Sequence, residues 1–209
     1  MNHHLLALRH HLLALVGLPL AVAAQPKPAL RSAPLSDIHY TITFKGVQAI
    51  ERGVDVSMSF TASGKDPVLL SLPIWTPGDY EVSYFARNVS QFKATSRGKA
   101  LTWDKTAPST WRVVTENGGP VTVEFHYRAD SLDNAQSWTR QDFALVNGTN
   151  VFLYPEGRAL DFPATVAVRT EDAWRVVTGM TPAGTEAWSA AGYHDIVDHP
   201  FFIGKFDVD

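Results

Sequence analysis

The 209-residue sequence contains no cysteine, so no disulfide can staple the fold and its stability must come from an apolar core. It has no HExxH segment, no Gly-x-Ser-x-Gly elbow and no glycine-rich loop followed by Lys-Ser or Lys-Thr. Those absences remove the sequence signatures of a zinc-peptidase helix, a hydrolase nucleophile and a phosphate-cradling loop. The formal net charge is -3, with no basic cluster. Nucleic acid is therefore not an expected partner, because phosphate-backbone binding needs concentrated Lys and Arg. No stretch carries a long helical period; the most helix-like is 80–89.

What is present begins with an export signal. Arg9 and four histidines, His3, His4, His10 and His11, precede the apolar run LLALVGLPLAVA over 12–23. Ala21-Val22-Ala23 supplies a small-x-small cleavage pattern. The run is too short to span a bilayer stably, a span needing about 20 residues. Residues 1–24 are thus expected to be a signal peptide, 25–35 a flexible Pro-containing lead and 36–209 one domain. A periplasmic or secreted location follows as an expectation, without a stable membrane span. About 185 residues remain after cleavage, enough for one sizeable core.

The rest of the chain reads as strands. Residues 39–46 alternate with Tyr40, Ile42 and Phe44 on one face. Residues 54–62 place Val54, Val56, Met58 and Phe60 together, and 121–130 do the same with Val121, Val123, Phe125 and Tyr127. A short hairpin is expected around Arg97-Gly98, and a clearer one between 111–116 and 121–130 across NGGP. Further strands are expected at 68–75, 151–155, 164–170 and 173–179, with a last one after Phe201. The total, roughly nine antiparallel strands with frequent turns, predicts an all-β, β-sandwich-like domain.

Three segments stand out for function. In 72–92, Pro73, Pro77 and Gly78 constrain a loop crowded with Trp75, Tyr80, Tyr84 and Phe85. Rigid aromatics of this kind make efficient recognition surfaces, and they also pack the ends of sandwiches. Asp79, Glu81 and Arg87 are placed for local ion pairs. Residues 132–150 read as one long connection, polar at its start, carrying Trp138, Arg140 and Asp142. Asn147-Gly148 is a turn signal there, and Asn147 and Asn88 both head glycosylation sequons. In the tail, His194, Asp195, Asp198 and His199 have the chemistry of metal ligands, but a spacing of five between the histidines does not align them on a helix.

The segments LPIWTPGDYEVSYFARNVSQFKA, WRV (111–113), VTVEFHYRAD, LVNGTNVFLYPEG and YHDIVDHPFFIGKF resemble the N-terminal domain of the glycyl aminopeptidase family of zinc metallopeptidases. The resemblance runs from Tyr40 to Phe206. Its specific anchors are Leu-Pro-x-Trp-x-Pro-Gly-x-Tyr with Phe-Ala-Arg-x-Val, and Tyr-x-x-x-x-Asp-x-Pro in the tail. It implies a β-rich module beside a thermolysin-like catalytic domain, supplied in cis in a longer protein or in trans. A PDZ-like domain often follows in that family. Zinc is implied for that catalytic domain and no cofactor for this chain, because the matched region contains none of the family's catalytic residues. The module is then non-catalytic, and its expected contact face comprises the two loops bearing Trp75, Tyr80, Tyr84, Arg87, Trp138 and Arg140. Such a face should leave an apolar patch exposed on the isolated module. The alternative is a free-standing secreted β-sandwich that binds peptide or glycan.

Overall fold

The computed structural model describes residues 30–207. The expected signal segment 1–24 and the start of the lead lie outside them. In chain order the strands are β1 (Leu35–Thr43), β2 (Gly53–Ala62), β3 (Val68–Ser71), β4 (Val89–Ser96), β5 (Lys99–Ala100), β6 (Trp103–Ala107), β7 (Thr110–Val113) and β8 (Gly119–Arg128). They continue as β9 (Trp138–Arg140), β10 (Phe143–Val146), β11 (Tyr154–Pro155), β12 (Ala164–Arg169), β13 (Arg175–Val177), β14 (Thr181–Gly184), β15 (Ala187–Ala190) and β16 (Phe201–Gly204). Among the described residues, helix is confined to α1 (Gly46–Glu51), α2 (Gly148–Val151), α3 (Tyr193–Asp198) and a 3-10 turn over Phe85–Asn88.

An eight-stranded sheet, ordered β14-β15-β12-β1-β2-β8-β4-β5, forms one layer. Its centre follows from alternation plus register. Tyr40 pairs with Met58 and Ile42 with Val56; Val56 pairs with Phe125 and Phe60 with Val121. Paired residues share a face, so the apolar set of each strand lands on the same side. That side is covered by two four-stranded sheets, β13-β16-β10-β9 and β11-β3-β7-β6. Phe92 of β4 stacks on Trp111 of β7 at 5.2 Å, Tyr40 meets Phe152 at 4.9 Å, and Trp188 of β15 meets Phe201 of β16 edge-on at 5.7 Å. The buried residues of all three sheets form one continuous core.

The all-β, sandwich-like expectation thus holds at the level of class, while the details differ. Among the described residues sixteen short strands replace the roughly nine expected, and β1 pairs with β12 in parallel. The hairpin expected between 111–116 and 121–130 does not form. Strand β7 pairs with β3 and β6, whereas β8 pairs with β2 and β4. Gly118 and Gly119, at φ 73° and 102°, carry the chain from one sheet to the other. Of the helix-like 80–89, only the 3-10 turn forms. Residues 132–150 are no free loop, since β9 and β10 fold there as a hairpin. Within 151–155 only Tyr154–Pro155 is a strand. The lead expected to be flexible is fastened at its end: the Ser32 amide donates to the Glu156 carbonyl at 2.9 Å and Ser32 Oγ accepts the Leu69 amide at 3.0 Å.

Candidate functional site

The loop after β3 is built to hold aromatics outward. Asp79 N donates to Thr76 O at 3.0 Å, closing a turn with Pro77 and Gly78 at its centre. Gly78 has φ 89° and no atom near its missing side chain, so the positive dihedral alone calls for glycine there. The Ile74 carbonyl accepts both Ser83 N, at 2.7 Å, and Tyr84 N, at 3.1 Å. The loop is thereby pinched at its base. Tyr84, at φ 47°, then swings the chain into the 3-10 turn, where Phe85 and Ala86 are buried anchors. Trp75 and Tyr84 are left about half exposed and Tyr80 wholly so, with Ile74 and Val82 exposed beside them.

Beneath this lip lies a cleft of about 460 Å³, mostly apolar, walled by Leu72, Ile74, Trp75, Pro77 and Tyr84 on one side. Pro108 and Ser109 from the β6–β7 turn, and Tyr154, Leu160, Tyr193 and Val197, complete it. Its polar groups are few and connected. Ser71 Oγ donates to Glu156 Oε2 at 2.6 Å and lies 2.7 Å from Thr110 Oγ1. Burial first, and then the Glu156 charge, push the Tyr154 phenol above its ordinary range. Tyr193 is fully buried and donates to the Phe152 carbonyl at 2.6 Å; desolvation holds its phenol neutral.

The two expected contact segments meet at Thr76 and where α2 packs near the 3-10 turn, and diverge elsewhere. Thr76 Oγ1 lies 2.6 Å from Thr149 Oγ1. Trp138 and Arg140, however, line a different depression with Val47, Ile50 and Trp174, which shares no residue with the cleft. Trp138 packs on Phe143 at 6.2 Å, and Arg140 Nε sits 3.6 Å from Asp142 Oδ1. Arg87 is exposed. Among the described residues no ion pair joins Asp79, Glu81 and Arg87. Both sequon asparagines are engaged within the fold: Asn88 Nδ2 donates to the Tyr127 hydroxyl and Asn147 Nδ2 to the Ala135 carbonyl. Asn147 caps α2 by accepting Thr149 N at 3.2 Å, so Asn147-Gly148 starts a helical turn instead of reversing the chain.

The tail histidines do not converge. His194 borders the cleft. His199 Nδ1 lies 2.9 Å from the Asp195 carbonyl oxygen, and its ring fills the space beside Gly179. The helices are too short, and the sequence lacks the HExxH pattern, so these residues do not fit a thermolysin-type catalytic zinc. Glu51, Asp55 and His126 do gather their ligand atoms within 4.8 Å of one another. The sequence alone does not disclose this group or Glu156, because His126 reaches Glu51 and Asp55, and Glu156 reaches Ser71, only through pairing of segments distant in the chain. Among the described residues no helix is long and apolar enough to cross a membrane.

A three-sheet, mostly antiparallel β-domain with an aromatic-lipped cleft is the kind of module that stands at the N-terminus of a larger aminopeptidase-like protein. The sequence pattern of the peptidase M61 N-terminal domain matches residues 39–205, and the chain belongs to that family. The structure is similar to that of an aminopeptidase N family protein from Idiomarina loihiensis, with a TM-score of 0.73 and 25% identity over 82% of this chain and 30% of that one. An M1 zinc metallopeptidase from Deinococcus radiodurans gives a TM-score of 0.47 at 15% identity, over 85% of this chain and 44% of that one. The chain therefore spans less than half the length of either. No curated protein matches it.

Proposed function

We propose that this chain is the non-catalytic N-terminal module of an exported glycyl-aminopeptidase-like metallopeptidase, and that its Trp75–Tyr84 face packs beside the zinc-bearing catalytic domain. The observation that carries this reading is the clustering of Ile74, Trp75, Tyr80, Val82 and Tyr84, all exposed, on one loop fastened at its base. Exposed apolar residues scattered singly need no partner, but a contiguous set marks a contact surface. Aromatics held on a rigid base lose little entropy on docking. The catalytic domain, in cis or in trans, covers the lip, and the cleft behind it borders the path of the substrate. The apolar run over 12–23 supports export to the periplasm or beyond.

The test is hydrolysis of glycyl and alanyl peptides by the purified chain with zinc, alone and with a catalytic domain of this family added. The expected result is silence alone and binding in the mixture. Chelator-sensitive hydrolysis by the chain alone would overturn the reading. A free-standing peptide-binding module is the second reading, favoured by the Glu156–Ser71 pair under an aromatic lip. It requires direct binding of short apolar peptides with no catalytic domain present.

A further inference from the structure

We propose that Glu51, Asp55 and His126 form a binding site for one divalent transition-metal ion of the zinc class. Asp55 on β2 and His126 on β8 are cross-strand partners, and both side chains stand on the outward face of the eight-stranded sheet. Glu51 closes α1, and Arg52 at φ 56° turns the chain from that helix into β2, which brings Glu51 over the pair. His126 Nδ1 lies 2.8 Å from Asp55 Oδ1 and 3.7 Å from Glu51 Oε2. Ligand atoms around a tetrahedral zinc, with bonds of about 2.0–2.2 Å, stand about 3.3–3.6 Å apart. The two observed separations bracket that range, and all three ligand atoms lie within 4.8 Å of one another, so modest side-chain rotations admit the ion.

The site is built before any ion arrives. The His126 side chain retains only 9% of its exposure, and its Nε2 edge occupies the space where a side chain at residue 53 would stand. Glycine at 53 is thus the slot for the imidazole. Gln48 Nε2 donates to Asp55 Oδ2 at 2.7 Å, while Gln48 Oε1 accepts Lys45 N at 3.1 Å. This outer hydrogen bond fixes the carboxylate so that its other oxygen faces the imidazole, the usual device around metal ligands. One imidazole with two carboxylates suits zinc, and the nitrogen ligand disfavours calcium and magnesium. Asp55 and His126 also line a polar groove with Thr41, Ser57 and Lys93, which leaves the remaining coordination positions to water or an anionic ligand. None of these residues belongs to the aromatic cleft, so the inference stands apart from the proposed docking role.

The test is zinc titration of the full chain by calorimetry, with cobalt absorption as a coordination readout. His3, His4, His10 and His11 are replaced by alanine so that their own affinity does not count. One zinc per chain is expected, together with a rise in melting temperature. Glu51→Gln and Asp55→Asn should each weaken binding at least about tenfold, while melting without metal confirms that both variants fold. His126→Gln is the complementary variant; because the ring is buried, the half-exposed Glu51 is the deciding position. No binding below about 1 mM zinc, or undiminished binding in both carboxylate variants, overturns the site. Binding lost only when His194 and His199 are replaced overturns it as well.

Discussion

The Tyr40 hydroxyl donates to the Leu153 carbonyl at 2.6 Å in a fully buried contact. Tyr193 does the same to the preceding carbonyl, Phe152, also at 2.6 Å. The chain between α2 and β11 has no ladder partner for these oxygens, and two phenols supply one donor each. Tyr40→Phe keeps the ring and orphans the Leu153 oxygen. Urea unfolding should show a loss of about 1–3 kcal/mol; a loss below about 0.3 kcal/mol would mean that water replaces the phenol.

Burial drives the phenols of Tyr40, Tyr127 and Tyr193 well above the ordinary tyrosine range. For Tyr127 the Asn88 hydrogen bond and the nearby arginines offset this only in part. In the unfolded chain these phenols lose their protons near pH 10, while in the folded protein they keep them. The unfolded state then binds fewer protons, so stability is fully present below about pH 10 and falls as pH rises further. Melting between pH 9 and 11 should show the decline, shallower in Tyr40→Phe than in the parent.

Two glycines of the recognition motifs should respond differently to alanine. At Gly78 the obstacle is only φ 89°, with open space around it, so Gly78→Ala should cost about 1 kcal/mol. At Gly148 a Cβ would stand 2.8 Å from Val197 Cα and 2.9 Å from the Ile196 carbonyl oxygen. Backbone there cannot rotate away, and α2 must part from α3 under the cleft. Gly148→Ala should cost about 1–3 kcal/mol more than Gly78→Ala, as expected for overpacking.

Asn150 is fully buried and holds the start of the β9 hairpin. Its Oδ1 accepts Ser137 N, and its Nδ2 donates to the Ala135 carbonyl at 2.9 Å. Asn150→Ala leaves the Ser137 amide buried without an acceptor. A loss of about 2–4 kcal/mol is expected, with faster hydrogen exchange at Ser137. Exchange unchanged at that amide would locate the role of Asn150 elsewhere.

Much of this was legible in the residues. Alternation in β1, β2 and β8 named the inward set correctly, because a half-wet strand must alternate. The motif around Trp75 and Pro77 marked the loop that the structure leaves exposed. What sequence could not supply was register. Asp55 and His126 each stood on the outward face of a recognisable strand, but only the pairing across β2 and β8 sets them side by side. The NGGP hairpin failed for a related reason: both strands were real, yet Trp111 is claimed by Leu70 and Lys105 in another sheet. Trp138 and Arg140, expected on one contact face with Trp75, stand on the β9–β10 hairpin and line a depression with Trp174, a placement that strand pairing sets and spacing along the chain does not.

That separation makes the docking face testable in parts. Trp75 and Tyr80 lie on the lip, and Tyr80 touches nothing that holds the module together, being wholly exposed. Trp75→Ala and Tyr80→Ala should each weaken binding to a catalytic domain by about 10- to 100-fold, the range of aromatic anchors at an interface. For Tyr80→Ala the unfolding free energy should stay within about 0.5 kcal/mol of the parent, as for other exposed substitutions. Arg140→Ala, on the other depression, should change affinity less than about threefold, since an exposed charge at a rim contributes little. Equal losses at Arg140 and Trp75 would extend the contact across both depressions. Parent-like affinity in both lip variants would remove the lip from the interface and leave its aromatics to the peptide-binding reading.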